Sequence, residues 1–177
     1  MKILPKKDLL TNFSTNMPNN KEQHSERNHE RLKKMPLYQK SWTIIDISKR
    51  IAALIPEDQN NFLSSYAEHI IIDSSLILTQ IAGAESVDLY DLRMEYAVTI
   101  RKTARDICAH CVALENFGFK EVDYLQLLCD EVEEFRILFA EWVKSFDQWN
   151  YIIDRWGLFN PPGVAYDDKD LDEDYPQ

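Results

Sequence analysis

Apolar residues recur at alternating intervals of three and four positions along the C-terminal third of the chain. The set is Leu125, Leu128, Val132, Phe135, Phe139, Trp142, Phe146, Trp149, Ile153 and Trp156, here called the aromatic stripe. This spacing places every member on one face of a helix and is typical of helices that pack against neighbours. The pattern therefore predicts one long helix from about Lys120 to Trp156, closed by Gly157.

Three earlier segments show the same helical period. They run from Tyr38 to Leu54, from Asp58 to about Gly83, and from Ser86 or Asp88 to Asn116. Pro56 ends the first, Gly118 follows the third, and the polar first residues of the other two can act as N-caps. Connections of about 3 to 6 residues favour antiparallel neighbours. We therefore predict an all-α, antiparallel up-down-up-down four-helix bundle with a long fourth helix.

The two ends of the chain have opposite charge and little apolar periodicity. Residues 1–35 contain eight Lys or Arg against four Asp or Glu, whereas residues 164–177 contain six Asp or Glu against one Lys. Such segments bury too little apolar surface to offset their conformational entropy. We predict a basic, mostly disordered arm at 1–35, a four-helix bundle at 36–163 and an acidic, disordered tail at 164–177. A short helix from Glu22 to Met35, ended by Pro36, is an alternative on contact with another surface.

Composition narrows the function classes. A net charge of −10 disfavours a broad nucleic-acid-binding surface, because phosphate neutralisation dominates that affinity, but it leaves a local basic patch open. Lys6 and Lys7 stand where a signal peptide needs an apolar run, and no stretch approaches the roughly 18 apolar residues of a membrane span. Three cysteines, an odd number, fit a reducing compartment. We expect a soluble cytoplasmic protein without a membrane partner.

The predicted fourth helix outruns its neighbour. At about 1.5 Å per residue, the third helix spans roughly 42 Å and the fourth roughly 55 Å. The last two turns or so then lack an intrachain neighbour, and apolar patches of this kind mark binding surfaces. We expect a protein partner, most readily a second copy, on a partner-binding set of Trp142, Trp149, Ile153, Trp156 and Phe159.

Two alternatives cover the aromatic stripe within the chain. In the first, the helix breaks around Ser145 to Asn150, where Ser, Asp and Asn cluster, and its aromatic end folds back over the bundle. In the second, residues 158–164 wrap the stripe, with Phe159 as a plug. Either alternative removes the reason to expect a partner at this end of the molecule.

One set of residues suggests metal chemistry. Cys108-Ala109-His110-Cys111 is followed on the next helix by Cys129, and thiolate and imidazole groups are zinc ligands. Cys108 and Cys111 also lie in phase with the apolar face of the third helix, and free cysteines are usually buried, which favours core packing. The core contains no Glu-x-x-His pair for a di-iron site, and the chain contains no Gly-rich phosphate loop. We expect no catalytic residue, no metal and no cofactor, and hence no enzyme.

A basic patch on the third helix supports an alternative function. The concentrated basic patch of the core consists of Arg101, Lys102 and Arg105. Together with Lys33 and Lys34 of the arm, it forms a candidate nucleic-acid-binding set. Nearby acidic residues could equally neutralise the patch. These are Asp106, Glu131, Glu133 and Glu134.

Four short motifs carry a resemblance to a known family. They are Leu37-Tyr38-Gln39-Lys40-Ser41, Ile55-Pro56-Glu57, Gln80-Ile81-Ala82-Gly83, and Thr103-Ala104-Arg105-Asp106 followed by Leu114-Glu115-Asn116-Phe117-Gly118-Phe119. Over about residues 37–145 the chain resembles the bacterial four-helix-bundle family named after the S23 protein encoded by ribosomal-RNA intervening sequences.

The resemblance implies an antiparallel bundle that assembles into ring-like oligomers. One branch of that family serves as an accessory protein to the reverse transcriptase of diversity-generating retroelements and binds it and nucleic acid through basic faces. The core of the present chain is instead acidic, with 11 Lys or Arg against 20 Asp or Glu. We therefore expect an interaction or accessory subunit, with nucleic-acid binding as the alternative.

Overall fold

The computed structural model describes residues 29–56 and 61–169, and all regular structure within them is helical. The main helices are α1 (Pro36–Ala53), α2 (Asn61–Ala84), α3 (Tyr90–Asn116) and α4 (Val122–Lys144). A short helical segment at residues 29–34 precedes α1. Helix α1 packs against α2 and α4, and α3 packs against the same two helices. The four helices therefore enclose one core, as expected for an all-α bundle.

Buried positions in each helix recur at the heptad interval. The side chains that are completely or almost completely buried include Ile44, Ile51, Ile70, Ile77, Ile100, Ile107, Leu114, Leu128 and Phe135. A spacing of seven returns a residue to the same face after two turns, so these positions form continuous seams. Burial of each such side chain stabilises the fold by about 1.5–3 kcal/mol. On α4 this seam coincides with the aromatic stripe from Leu125 to Trp142, whereas Trp42 of α1 and Phe62 of α2, which share the apolar period of their helices, are exposed.

The starts of α1 and α3 differ from prediction. The helical segment at residues 29–34 ends before Pro36, as expected for the short-helix alternative, and Pro36 then occupies the first turn of α1, where a residue without an N–H loses no helical hydrogen bond. Helix α3 has Leu89 at its N-cap and no side-chain cap, so the prediction of Ser86 or Asp88 as cap is wrong. The Tyr90 N–H instead donates to the Asn150 carbonyl at 2.7 Å. The predicted cap Asp58 lies outside the described residues.

The end of α3 is confirmed. Gly118 has φ +90°, its N–H donates to the Glu115 carbonyl, and the Phe119 N–H donates to the Leu114 carbonyl. This pair of bonds is the Schellman arrangement, and the left-handed φ explains why glycine stands there. Phe119 is buried, which anchors the turn into α4.

Helix α4 ends at Lys144, so the prediction of a long fourth helix reaching Trp156 is wrong. It has 23 residues and is shorter than α3, which has 27. Two local bonds replace the helical pattern: the Ser145 hydroxyl donates to the Trp142 carbonyl, and the Trp149 N–H donates to the Asp147 carboxylate. Such short polar side chains compete with the helix for backbone groups. The alternative of a break around Ser145 to Asn150 is therefore correct about the break, but the aromatic end does not fold back as that alternative expects: Ile153 is buried, whereas Trp149 and Trp156 remain exposed.

The terminal segments are described only in part. Residues 1–28 of the arm and 170–177 of the tail lie outside the described residues, so their predicted disorder stays a prediction. Residues 164–169 form turns, in which the Arg155 guanidinium donates to the carbonyls of Tyr166 and Asp168 at 2.9 and 2.7 Å. Among the described residues, no helix combines the length and the apolar character needed to cross a membrane.

Candidate interaction surfaces

Residues 145–169, here called the C-terminal segment, dock on the start of α3. The Asn150 side-chain amide donates to the Asp88 carbonyl at 3.1 Å, and the Ile152 N–H donates to the Asp91 carboxylate at 3.1 Å. Ile153 is buried. Because these bonds join positions more than sixty residues apart, they fix the segment against the bundle.

Asp154 organises the next turn of this segment. Its carboxylate accepts the backbone N–H groups of Trp156, Leu158 and Phe159 at 2.8, 2.8 and 2.9 Å. These bonds, led by that from Trp156, lower the pKa of Asp154. Asn160 adds two further bonds to the Asp154 backbone. The C-terminal segment therefore has a defined conformation without being helical.

The C-terminal segment exposes large apolar side chains. Trp149 and Trp156 are 90% and 89% exposed, and Ile152 and Leu158 are exposed as well. These four residues are called the indole surface. Of the predicted partner-binding set, only Trp149 and Trp156 are exposed; Trp142 and Ile153 are buried, and Phe159 is partly buried.

Trp142 is covered by this chain rather than by a partner. Its indole N–H donates to the Glu85 carboxylate at 2.8 Å. The same carboxylate pairs with Arg93 and Arg31, and the Arg93 guanidinium lies 4.1 Å from the Phe146 ring centroid. A cation over an aromatic face is attracted by the ring quadrupole. Glu85, directly after α2, and Arg93 of α3 thus complete the burial of the aromatic stripe at the end of α4.

A groove of about 720 Å³ lies between α3 and α4 on the surface of the bundle. Its apolar lining comprises Ala104 on α3 and Val132, Phe135, Phe139, Ala140 and Val143 on α4. The thiol of Cys108 also lines it, and hydrogen bonding to Cys129 together with burial raises the pKa of this thiol, so it stays neutral. A volume of this size is typical of small-ligand sites, which are about 300–1,000 Å³.

Charged side chains line the groove beside its apolar residues. Arg101 and Arg105 lie on α3, and Glu133 and Arg136 on α4. Arg136 and Glu133 form a bidentate pair with N–O distances of 2.6–2.9 Å. The guanidinium groups of Arg101 and Arg105 make no hydrogen bond or ion pair with any residue in the described ranges. Within the part of the chain that the structure describes, the groove therefore carries two guanidinium groups without a carboxylate partner.

The predicted basic set is only partly brought together. Lys102 pairs with Asp106 at 2.5 Å, and this hydrogen bond raises the pKa of Lys102. Lys33 pairs with Glu30, and both Lys33 and Lys34 lie on the helical segment before α1 rather than on α3.

The acidic residues of α4 do not neutralise this patch. Glu131 and Glu134 both bind Lys40 of α1, each at 2.6 Å. Glu133 binds Arg136 on its own helix. Of the four acidic residues expected to compensate the patch, only Asp106 does so.

The three cysteines meet across α3 and α4 as free thiols. Cys111 is buried, and Cys108 and Cys129 are partly buried. Both α3 thiols hydrogen-bond to Cys129, and this contact together with burial raises the pKa values of Cys108 and Cys111. This packing agrees with the core interpretation. Among the described residues, no group of three or more His, Cys, Asp or Glu side chains is arranged to hold a metal ion.

A further cluster, not predicted from the sequence, lies between α2 and α3. His110 Nε2 lies 3.2 Å from the Asp73 carboxylate, and the rings of His69 and His110 are 5.4 Å apart. Burial is the main cause that raises the pKa of Asp73. Asp106, four residues before His110 on α3, binds Lys102 instead. The available signal was Asp73 itself, a carboxylate within an apolar run.

Comparison with known proteins does not identify the chain. No family model matches it, and no curated protein and no solved structure shows significant similarity to it.

Proposed function

We propose that this protein is a non-enzymatic interaction subunit that binds a second copy of itself through the indole surface. The observation that carries the proposal is the near-complete exposure of Trp149 and Trp156 on a segment held by hydrogen bonds. Tryptophan is enriched at interface hot spots, and burying each one yields about 2–3 kcal/mol. Because the backbone is already ordered, binding costs less conformational entropy.

The proposal includes a finer architecture, the antiparallel up-down-up-down order of the four helices. Its support is that connecting residues 54–60, 85–89 and 117–121 are short and that consecutive helices pack side by side. The all-helical bundle and the four sequence motifs are the support for membership of the S23-like family, which would bring with it a cytoplasmic accessory role.

Light scattering on the purified protein at tens of micromolar tests self-association. We expect a mass above that of one chain, and a return to one chain in the Trp149→Ala/Trp156→Ala double variant. Both side chains project into solvent, so their removal leaves the core intact. Trp42→Ala is the control, because Trp42 is an exposed indole that belongs to α1 and not to the C-terminal segment.

A strictly monomeric wild-type protein would contradict the proposal. An oligomer whose mass survives the double substitution would contradict the role of the indole surface. If the Trp42 variant lost association to the same extent, the effect of the double variant would not be specific to the indole surface. That result would also contradict the proposal.

The nucleic-acid alternative has narrower support. Lys102 and Lys33 are each paired with a carboxylate, which leaves Arg101 and Arg105 as its best-placed cations on α3. Two phosphate contacts supply little affinity at physiological salt. If RNA or DNA binds the protein at low salt and Arg101→Ala/Arg105→Ala abolishes that binding, this alternative gains the support it now lacks.

A further inference from the structure

We infer that the groove between α3 and α4 is a binding site for a small amphipathic carboxylate, a molecule with one carboxylate head and one extended apolar body. This site is separate from the indole surface, so the inference does not depend on the proposed function. It stands on three features of the groove: its charges, its apolar lining and its dimensions.

The charges define the head group. Arg101 and Arg105 are one helical turn apart, so their Cβ atoms are about 5–6 Å apart on the same face. Neither guanidinium has a carboxylate partner among the residues the structure describes. Two adjacent guanidinium groups suit a single anionic head, to which each donates charge-assisted hydrogen bonds. The Glu133 carboxylate, already in the groove lining, disfavours a second negative charge and thus a dianionic phosphate.

The lining defines the body of the ligand. Between the charged residues lie alkyl and phenyl side chains and the neutral thiol of Cys108. The small residues Ala104 and Ala140 leave the space that larger side chains would fill. A polar body would lose its hydrogen bonds to water there without replacement, whereas an apolar one gains the hydrophobic contribution.

The dimensions fit one extended chain. The lining extends from Arg101 to Cys108 on α3 and from Val132 to Val143 on α4, which is about 10 Å and about 16 Å of helix. Together with a volume of about 720 Å³, this length accommodates one medium-length acyl chain or a comparable aromatic acid. The otherwise acidic surface repels anions elsewhere, so the two arginines also confer selectivity.

Calorimetric titration of the full chain with dodecanoate, below its micelle concentration, tests the inference. We expect saturable binding of one dodecanoate per chain. Arg101→Ala/Arg105→Ala removes the charge-assisted bonds and weakens binding about tenfold or more. Ala140→Leu fills the groove and weakens binding without any change of charge. Dodecanol, which lacks the anionic head, binds about tenfold more weakly or not at all.

Two controls isolate the site. Lys102→Ala removes a cation from the same helix that does not line the groove, and it leaves the affinity unchanged. Trp149→Ala/Trp156→Ala also retains dodecanoate binding, so failure of the proposed self-association and failure of this inference are separable. Both arginines are exposed, so their double variant keeps the circular-dichroism spectrum and unfolding temperature of a folded protein.

Several results would overturn the inference. These are absence of saturable binding, equal affinity for dodecanoate and dodecanol, and unchanged affinity in the arginine double variant. If a second copy of the chain occupied the groove, dodecanoate would not bind in the titration. Light scattering would then give a lower assembly mass for the arginine double variant than for the wild type. That result would replace the carboxylate by the second copy as the occupant.

Discussion

Asp73 is a mostly buried carboxylate on α2 that faces His110 on α3. Burial raises its pKa above the ordinary value of 3.8, Asp106 adds repulsion, and His110 and His69 oppose the shift. The folded protein therefore binds this proton more tightly than the unfolded chain does. In the window just above pH 3.8, stability falls as the pH rises, and below it the contribution of the protonated carboxyl is complete. We predict that Asp73→Asn removes this decline.

The measurement is the free energy of unfolding in urea, from pH 3 to pH 6, for the wild type and Asp73→Asn. The wild-type value minus that of the variant should decrease with increasing pH. Asp46→Asn is the control, because Asp46 pairs with Arg50 on the exposed face of α1. A difference that increases with pH would mean that the ion pair with His110 outweighs burial.

Individual residues were predictable where the helical period decided their environment. The period placed Cys108 and Cys111 on the inner face of α3, and the structure agrees. It did not predict that Glu85 accepts the Trp142 indole N–H, because this bond joins positions 57 residues apart. Local sequence does not indicate which residues meet across such a separation. The contacts that bury Trp142 at the end of the aromatic stripe could therefore not be predicted.

At the scale of elements, Gly83 sets how closely α2 and α3 approach. A Cβ atom at this position would lie 2.6 Å from Cε1 and 2.9 Å from Cζ of the Tyr96 ring. Elsewhere in a helix, alanine is more favourable than glycine by roughly 1 kcal/mol. Here we predict that Gly83→Ala destabilises the protein by about 1–2 kcal/mol, because the tyrosine ring has to leave its packed position.

Urea unfolding of Gly83→Ala, Tyr96→Ala and the double variant measures this effect. Once the ring is absent, Gly83→Ala should stabilise the protein, since only its helix propensity remains. The two substitutions should therefore be strongly non-additive. Additive effects would show that the close approach of Gly83 to Tyr96 does not limit the α2–α3 packing. In the sequence, Gly83 marks only the predicted end of the second helix, and nothing near it indicates the contact with the tyrosine ring.

The end of α4 shows where an element could not be predicted. The interval of three and four continues through Trp149, Ile153 and Trp156, although α4 stops at Lys144. Periodicity alone cannot distinguish a helix from a coil whose apolar residues happen to keep its spacing. The decisive signals were Ser145 and Asp147, whose side chains bind backbone groups of the break. These two residues are the basis of the alternative with a break at 145–150, and they explain why a stripe with helical spacing ends in an exposed surface.

At the scale of the whole molecule, the net charge opposes self-association, whereas the indole surface favours it. Each chain has a net charge of −10, so two copies repel one another at low ionic strength. An interface formed by tryptophan, isoleucine and leucine side chains contains few ion pairs that salt could weaken. Salt does, however, screen the repulsion between the two negatively charged copies. The Debye length falls from about 10 Å at 0.1 M to about 3 Å at 1 M. Self-association should therefore strengthen with salt, the reverse of nucleic-acid binding.

Tryptophan fluorescence at increasing protein concentration, in low and in high sodium chloride, measures this dependence. Two of the four tryptophans are almost fully exposed, so burial of Trp149 and Trp156 should shift the emission to shorter wavelength. We predict a several-fold lower dissociation constant in high salt, and no concentration-dependent shift in Trp149→Phe/Trp156→Phe. An association that weakens as salt rises would mean that charged groups hold the copies together. In that case the interface lies on the ion-paired faces of the bundle and not on the C-terminal segment.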